Sequence, residues 1–136
     1  MHSENIEQRH QRNHFAQHIQ TEIIEKDGGY SKVQLQTQDF HTNPNGQIHG
    51  GALFTLADIA AGTATVGEGY NITTVDSTIH YLFPGKPGDT LTAHGNVVKS
   101  GRTLVVVDVD IYNQDNKHLC HSIFTFFKLY PEENPK

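Results

Sequence analysis

Between Ala52 and Val66 the chain carries an apolar run in which Leu53, Phe54, Leu56, Ile59 and Val66 are interleaved with Ala52, Ala57, Ala60, Ala61, Gly62 and Ala64. A helix that is apolar nearly all round must be enclosed on several sides, so the remainder of the chain has to wrap it. One charge, Asp58, interrupts the run. A carboxylate in such a setting is costly to ionise, because desolvation disfavours the charged form. Asp58 is therefore a candidate functional group. The plain alternative is a surface aspartate on an imperfectly buried helix, or one satisfied by Thr55 three residues before it.

The approach to the helix carries its own chemistry. Asn43-Pro44-Asn45-Gly46 is a turn sequence, and His49-Gly50-Gly51 lets the backbone come close to a ligand where the first helical N–H groups open. Asn43, His49, Gly50, Gly51 and Asp58 form the pattern N-x5-H-G-G-x6-D, which combines a polar orienting group, exposed backbone donors and a candidate base. Gly67 and Gly69 mark the end of the helix. The run Gly67-Glu68-Gly69 is no dinucleotide fingerprint, since it closes a helix and lacks the third glycine.

On either side of the helix the periodicity is that of strands. Two runs between Ile19 and Gln38 flank Asp27-Gly28-Gly29, a hairpin signal, and Val33, Leu35 and Thr37 alternate with Gln34, Gln36 and Gln38. After the helix, turns at 84–89, 100–102 and 114–117 divide residues 71–129 into four strands. Leu91, Ala93, Gly95 and Val97 share one face of their strand, as do Val105, Val107, Val109 and Ile111 of theirs. Two strands, a helix and four strands predict an α+β domain, a curved antiparallel sheet wrapped around one long central helix, over residues 1–136.

Residues 1–17, rich in Glu, Gln, Arg and His, read as a marginal N-terminal surface helix. His10, His14 and His18 are spaced to share one face of it and could meet a transition metal. A solvated face is the preferred reading, because no carboxylate or cysteine cluster completes a site, and no metal is expected.

Composition closes off several functions. Ten basic against fifteen acidic side chains, a formal net charge of −5, leave no basic stripe for nucleic acid. The one cysteine, Cys120, excludes an intramolecular disulfide and fits a reducing compartment, and its setting between Leu119 and His121 favours inert packing. No apolar run approaches the ~18 residues of a membrane span. The cytoplasm is the expected location, and no membrane partner is expected.

On Asn43, His49, Gly50 and Asp58, with Thr74 in the following strand, the chain resembles the hotdog-fold acyl-CoA thioesterases of the phenylacetate-pathway, PaaI-like type. The resemblance implies the hotdog fold, hydrolysis of a thioester to free acid and coenzyme A, and no cofactor beyond the coenzyme A of the substrate. Thioester hydrolysis needs a polarised carbonyl and an activated water or carboxylate nucleophile. Backbone N–H groups around Gly50 suit the first task. Asp58 suits the second as general base or nucleophile, with Asn43 and Thr74 holding the water or the carboxylate. His49 either orients the loop or hydrogen-bonds the substrate. For the phosphates of coenzyme A the candidates are Lys99, Ser100, Gly101 and Arg102, where two cations bracket a glycine turn, and the resemblance implies that Tyr81 lines the coenzyme A groove; ordinary hairpin and sheet structure is the alternative for both.

Geometry adds a requirement independent of family. Gly51 and Asp58 are seven residues apart, roughly 10 Å along a helix, so one helix cannot bring both to one carbonyl. A homodimer with shared active sites, alone or as a dimer of dimers, resolves this by supplying Asp58 from the second chain. Two rival functions remain at this stage, an acyl-thioester dehydratase or hydratase on the same fold and a non-catalytic acyl-CoA binding module. The His80-Tyr81-Leu82-Phe83-Pro84-Gly85 run is similar to a dehydratase signature but follows the central helix, where that signature precedes it.

Overall fold

The computed structural model describes residues 5–131. In chain order these form α1 (Ile6–Arg12), α2 (His14–Ile19), β1 (Thr21–Asp27), β2 (Tyr30–Gln36), a single 3-10 turn at Asp39–His41, α3 (Gly50–Ala64), β3 (Tyr70–Tyr81), β4 (Thr90–Ser100), β5 (Leu104–Tyr112) and β6 (His118–Pro131). The six strands make one antiparallel sheet in the order β1-β2-β4-β5-β6-β3. Helix α3 carries the chain from β2 across the concave face to β3 on the far edge, and it packs chiefly on β2, β4 and β5. This is the hotdog arrangement expected from the sequence.

Strand alternation sets which face is covered. Val33, Leu35, Leu91, Ala93, Val105, Val107, Val109 and Ile111 are all fully buried under the helix side. They meet in register, Ala93 opposite Ile111, Gly95 opposite Val109 and Val97 opposite Val107. From the helix, Leu53, Leu56, Ala57, Ala60, Ala61 and Ala64 fill the other half of the core. One stripe stays open: Gly51 is exposed, and Phe54, Thr55, Asp58 and Gly62 are half-buried.

The helix sits unusually close to the sheet at one point. A Cβ on Gly95 would lie 2.7 Å from the Ala60 carbonyl oxygen and 2.8 Å from the Ser31 hydroxyl. That hydroxyl donates to the same Ala60 oxygen at 2.6 Å. Ser31 and Gly95 pair across β2 and β4, so the contact is a seat built by two strands. Near its C-terminal end α3 is tied to the β1–β2 hairpin, because Lys26 Nζ reaches the Ala64 carbonyl and Glu68, and Glu68 accepts the Gly29 N–H at 3.1 Å.

The N-terminal segment departs from the single surface helix expected. Asn13 ends α1 and caps α2, its side chain accepting the Ala16 N–H, so the segment is two short helices with a break between them. The break takes His10, His14 and His18 off any common face. His10 is buried and bonds the Thr21 carbonyl at 3.1 Å, while His14 and His18 are exposed. Residues 1–4 of the expected helix lie outside the described residues.

The Gly95 contact is open to test. Gly95→Ala should destabilise the protein by about 1–3 kcal/mol, the usual cost of overpacking a filled core, and Ser31→Ala by about 1 kcal/mol for its lost hydrogen bond. Urea unfolding measures both. An unchanged midpoint in Gly95→Ala would mean that the helix can lift off its seat freely.

Candidate active site

The loop entering α3 is held by its own polar groups. Asn43 Oδ1 accepts the N–H groups of Asn45 at 2.9 Å and Gln47 at 3.1 Å, and the Asn43 N–H donates to the Gln47 carbonyl. Ile48 is anchored to the Gly85 carbonyl, and the His49 N–H to the His41 carbonyl. Asn43 thus acts on the loop rather than on the cavity described below.

His49 is the N-cap of α3. Its Nδ1 accepts the Gly51 N–H at 2.8 Å, and its carbonyl accepts from Ala52 and Leu53. The capping bond fixes the tautomer: with Nδ1 as acceptor, the neutral ring carries its proton on Nε2. Three of the four amides that a helix start leaves open are engaged, that of His49 by the His41 carbonyl, that of Gly51 by the His49 ring and that of Ala52 by the His49 carbonyl. Gly50 is left as the first helical residue, whose N–H has no intrahelical acceptor by construction. The Tyr81 hydroxyl donates to the Gly50 carbonyl at 3.1 Å, and its ring flanks the glycine. Tyr81 therefore belongs with Gly50 and His49, on the half of the site that presents a backbone donor at the positive end of the helix.

Asp58 lies elsewhere. Its carboxylate opens into a cavity of about 170 Å³ with Thr74, Ile59, Gly62, Thr63, Ile72 and Phe126, closed on one side by Arg9, His10 and Asn13. Burial raises the Asp58 carboxyl above the ordinary carboxylate range. Thr74 reaches this cavity from β3, opposite Phe126 of β6. The structure therefore brings Asp58 and Thr74 together. It keeps them apart from Gly50, since eight residues separate Gly50 from Asp58, about 12 Å along the helix.

The Lys99–Arg102 segment closes the β4–β5 hairpin. Lys99, Ser100 and Arg102 are exposed, but the Gly101 N–H is taken by the Leu104 carbonyl at 2.8 Å, so the turn offers side-chain charge and no free amide there. Ser100, Val105, Phe126 and Thr74 stand in register across four strands. Three strand spacings of about 4.8 Å place the turn roughly 14 Å from Thr74, at the same end of the sheet. Cys120 is buried and its thiol is pushed up to about 12, which rules it out as a nucleophile at neutral pH. His80 is exposed on β3, opposite His121 and away from the Asp58 cavity.

Sequence reasoning missed Arg9, His10 and Asn13 as walls of the cavity. Their only local signal was Asn13 itself, a good N-cap in the middle of an otherwise helical run. Nothing in a local pattern says that such a segment folds back over residue 58.

Known proteins share this sequence pattern and fold. The sequence profile of the thioesterase superfamily matches residues 45–120, and the chain belongs to that family. It is 36% identical to the acyl-coenzyme A thioesterase PaaI of Escherichia coli over 102 residues, 75% of this chain and 73% of that protein. The solved E. coli PaaI structure superposes with a TM-score of 0.89 at 30% identity, covering 93% of this chain and 92% of that one. A Streptococcus pneumoniae thioesterase solved with coenzyme A gives a TM-score of 0.80 at 37% identity, covering 83% and 91%. Solved variants of the S. pneumoniae protein replace by alanine an aspartate and a threonine sixteen residues apart, the separation of Asp58 and Thr74 here.

The raised carboxyl has a stability consequence. A group whose folded value lies above its unfolded one loses stability as pH rises from about 3.9, the unfolded carboxylate value, to the folded one. Above that window the buried charge is a standing cost. Asp58→Asn, which removes it, should leave the melting temperature at neutral pH unchanged or higher by calorimetry while abolishing turnover. A clear loss of stability would mean that the carboxylate is a structural acceptor.

Proposed function

We propose that this protein hydrolyses acyl-CoA thioesters to a free acid and coenzyme A, in a two-fold dimer whose active sites are shared. One observation carries the reading: the open Gly50 N–H and the half-buried, raised Asp58 carboxylate stand about 12 Å apart on one helix. Each has half of the chemistry and neither can reach the other. A partner helix running antiparallel across a two-fold axis sets the Asp58 of one chain against the Gly50 of the next. The edge strand β3 supports that axis, because a twelve-residue edge with Val75 exposed is the kind of surface that stable proteins cover.

In this site the thioester carbonyl accepts from the Gly50 N–H at the positive end of α3, and charge developing on its oxygen is stabilised there. The exposed His49 ring is fixed by its capping bond through Nδ1, which leaves Nε2–H as its remaining donor. Asp58 of the facing chain, with the Thr74 hydroxyl beside it, either takes the proton of an attacking water or attacks the carbonyl itself. A single turnover in ¹⁸O-labelled water tests the nucleophilic route, since label in the Asp58 side chain requires an acyl-aspartyl anhydride opened by water at the aspartyl carbonyl. The reaction calls for no cofactor beyond the substrate's own coenzyme A, whose phosphates Lys99 and Arg102 attract. Cys120, free and buried, fits a cytoplasmic protein. The carboxylate weighs against a purely binding module, which has no use for a group so costly to bury.

Gly50→Pro tests the donor directly. Proline is tolerated at the first helical position, His49 already has the extended ψ of 135° that a following proline requires, and a Cβ at residue 50 meets Tyr81 at an ordinary 3.4 Å, so the variant should fold with a ring carbon in place of that N–H. Turnover of a thioester panel, read by thiol release, should fall by about 10²-fold or more. Mixed under subunit exchange with Asp58→Asn, it should recover up to about a quarter of wild-type activity, because half the dimers are heterodimers and each has one intact site. Recovery no better than the parents, with exchange verified, would rule out shared sites. Replacing Lys99 and Arg102 together by Ala should raise KM more than it lowers kcat, as expected for contacts remote from the carbonyl. An unchanged KM would place coenzyme A elsewhere.

A further inference from the structure

The outer face of the sheet, turned away from α3, carries a second cluster of chemistry-bearing side chains. Lys32, His94, Asp110, His121 and His80 stand in one row across five strands. Their outward direction follows from their buried neighbours, Val109 and Ile111 around Asp110 and Cys120 and Ser122 around His121. Asp108 joins the row two residues before Asp110, on the same face of β5.

Within this cluster three donors converge. His121 Nδ1 lies 2.9 Å from Asp110 Oδ1, and its Nε2 lies 3.4 Å from Asp108 Oδ1. One ligating atom from each of Asp108, Asp110 and His121 falls within 4.8 Å of the other two. We infer that Asp108, Asp110 and His121 form a binding site for a divalent transition-metal ion, zinc above all, with His118 as a positioning residue.

The donor set selects the ion. One imidazole nitrogen and two carboxylate oxygens suit zinc and its neighbours, whereas calcium and magnesium call for all-oxygen shells with more ligands. Zinc bonds of about 2.0–2.2 Å in a tetrahedral shell place donor atoms about 3.4 Å apart. An ion takes one nitrogen of the His121 ring, and one ligating atom from each of the three residues already lies within 4.8 Å of the others, so the side chains must turn and draw together to seat it while water completes the shell.

Charge points the same way. Two carboxylates crowd one strand face, and their ion-pair partners among the described residues are histidines alone, which are cationic only when protonated. A divalent ion and a proton on the imidazole are alternative sources of the positive charge that this face calls for. The site is also braced: His118 Nε2 holds Asp110 Oδ1 at 2.8 Å, and the His118 ring stacks on Tyr112 at 4.7 Å between centroids and 19° between planes. Such an outer partner fixes the direction of a ligating carboxylate. The cluster lies on the opposite face of the sheet from Asp58 and Gly50, so no step of thioester hydrolysis passes through it.

The test uses the full chain, freed of metal by chelator and desalted, and titrated at neutral pH with zinc by calorimetry and with cobalt by its visible d–d absorption. Wild type should take up one equivalent per chain. Asp110→Asn and His121→Gln should each weaken binding by about tenfold or more, with melting curves confirming that both fold. His14→Gln/His18→Gln, which removes two exposed imidazoles far from the cluster, should bind like wild type. Absence of saturable uptake, or uptake that survives both Asp110→Asn and His121→Gln, would overturn the site. Loss of uptake in His14→Gln/His18→Gln would overturn it equally. Thiol release needs no added metal and is measured separately, so failure here leaves the thioesterase reading untouched.

Discussion

The contact between the Ala60 carbonyl and the paired strands at Ser31 and Gly95 is the constraint on which the rest of the molecule depends. Because Gly95 has no Cβ and Ser31 donates at 2.6 Å, α3 lies directly on the backbone of β4. Larger side chains would hold the helix away and leave voids over Val107 and Val109, at a cost that grows with cavity size. A helix rich in alanine on this face is the complement of that seat. Its position fixes where its N-terminal end opens and where Asp58 meets the cavity.

The N-terminal end shows how a backbone donor is singled out. A helix start normally presents several free N–H groups. Here the His49 side chain and carbonyl engage those of Gly51, Ala52 and Leu53. The remaining amide belongs to Gly50, whose carbonyl is in turn held by Tyr81. The glycine pair thus serves two needs, close packing against the His49 and Tyr81 rings and a single directed donor. At Asp58 the logic is reversed: the side chain is left with a burial cost that raises its pKa. Stability is given up at one residue of the helix that the remainder of the helix can easily offset, and this is a common signature of a reactive group.

Two further features arise from strands meeting in register. The cavity at Asp58 takes a wall from α1, which folds back because His10 is bonded to β1 through the Thr21 carbonyl. The outer-face cluster gathers Asp108, Asp110, His118 and His121 from β5 and β6, whose pairing sets residues about ten apart in sequence side by side. The cavity borders the apolar core through Ile59 and Phe126. The cluster stands on the opposite sheet face, to which its polar side chains are directed because the helix covers the first.

The sequence by itself determined the elements and the main candidates. The apolar run demanded a wrapped helix, alternation and turn residues marked the six strands, and Asp58 stood out as the single charge within that run. These are local signals, readable because each rests on a period of 3.6 or 2 or on the backbone needs of a turn. Only the tertiary structure decided the sheet order, the split of the N-terminal segment at Asn13 and the burial of His10. The same holds for the engagement of the Gly51 and Gly101 amides and for the convergence of Asp108, Asp110 and His121. Each of these turns on which groups become neighbours after folding, and hydrogen-bond partners drawn from distant strands leave no periodic trace in the chain that carries them.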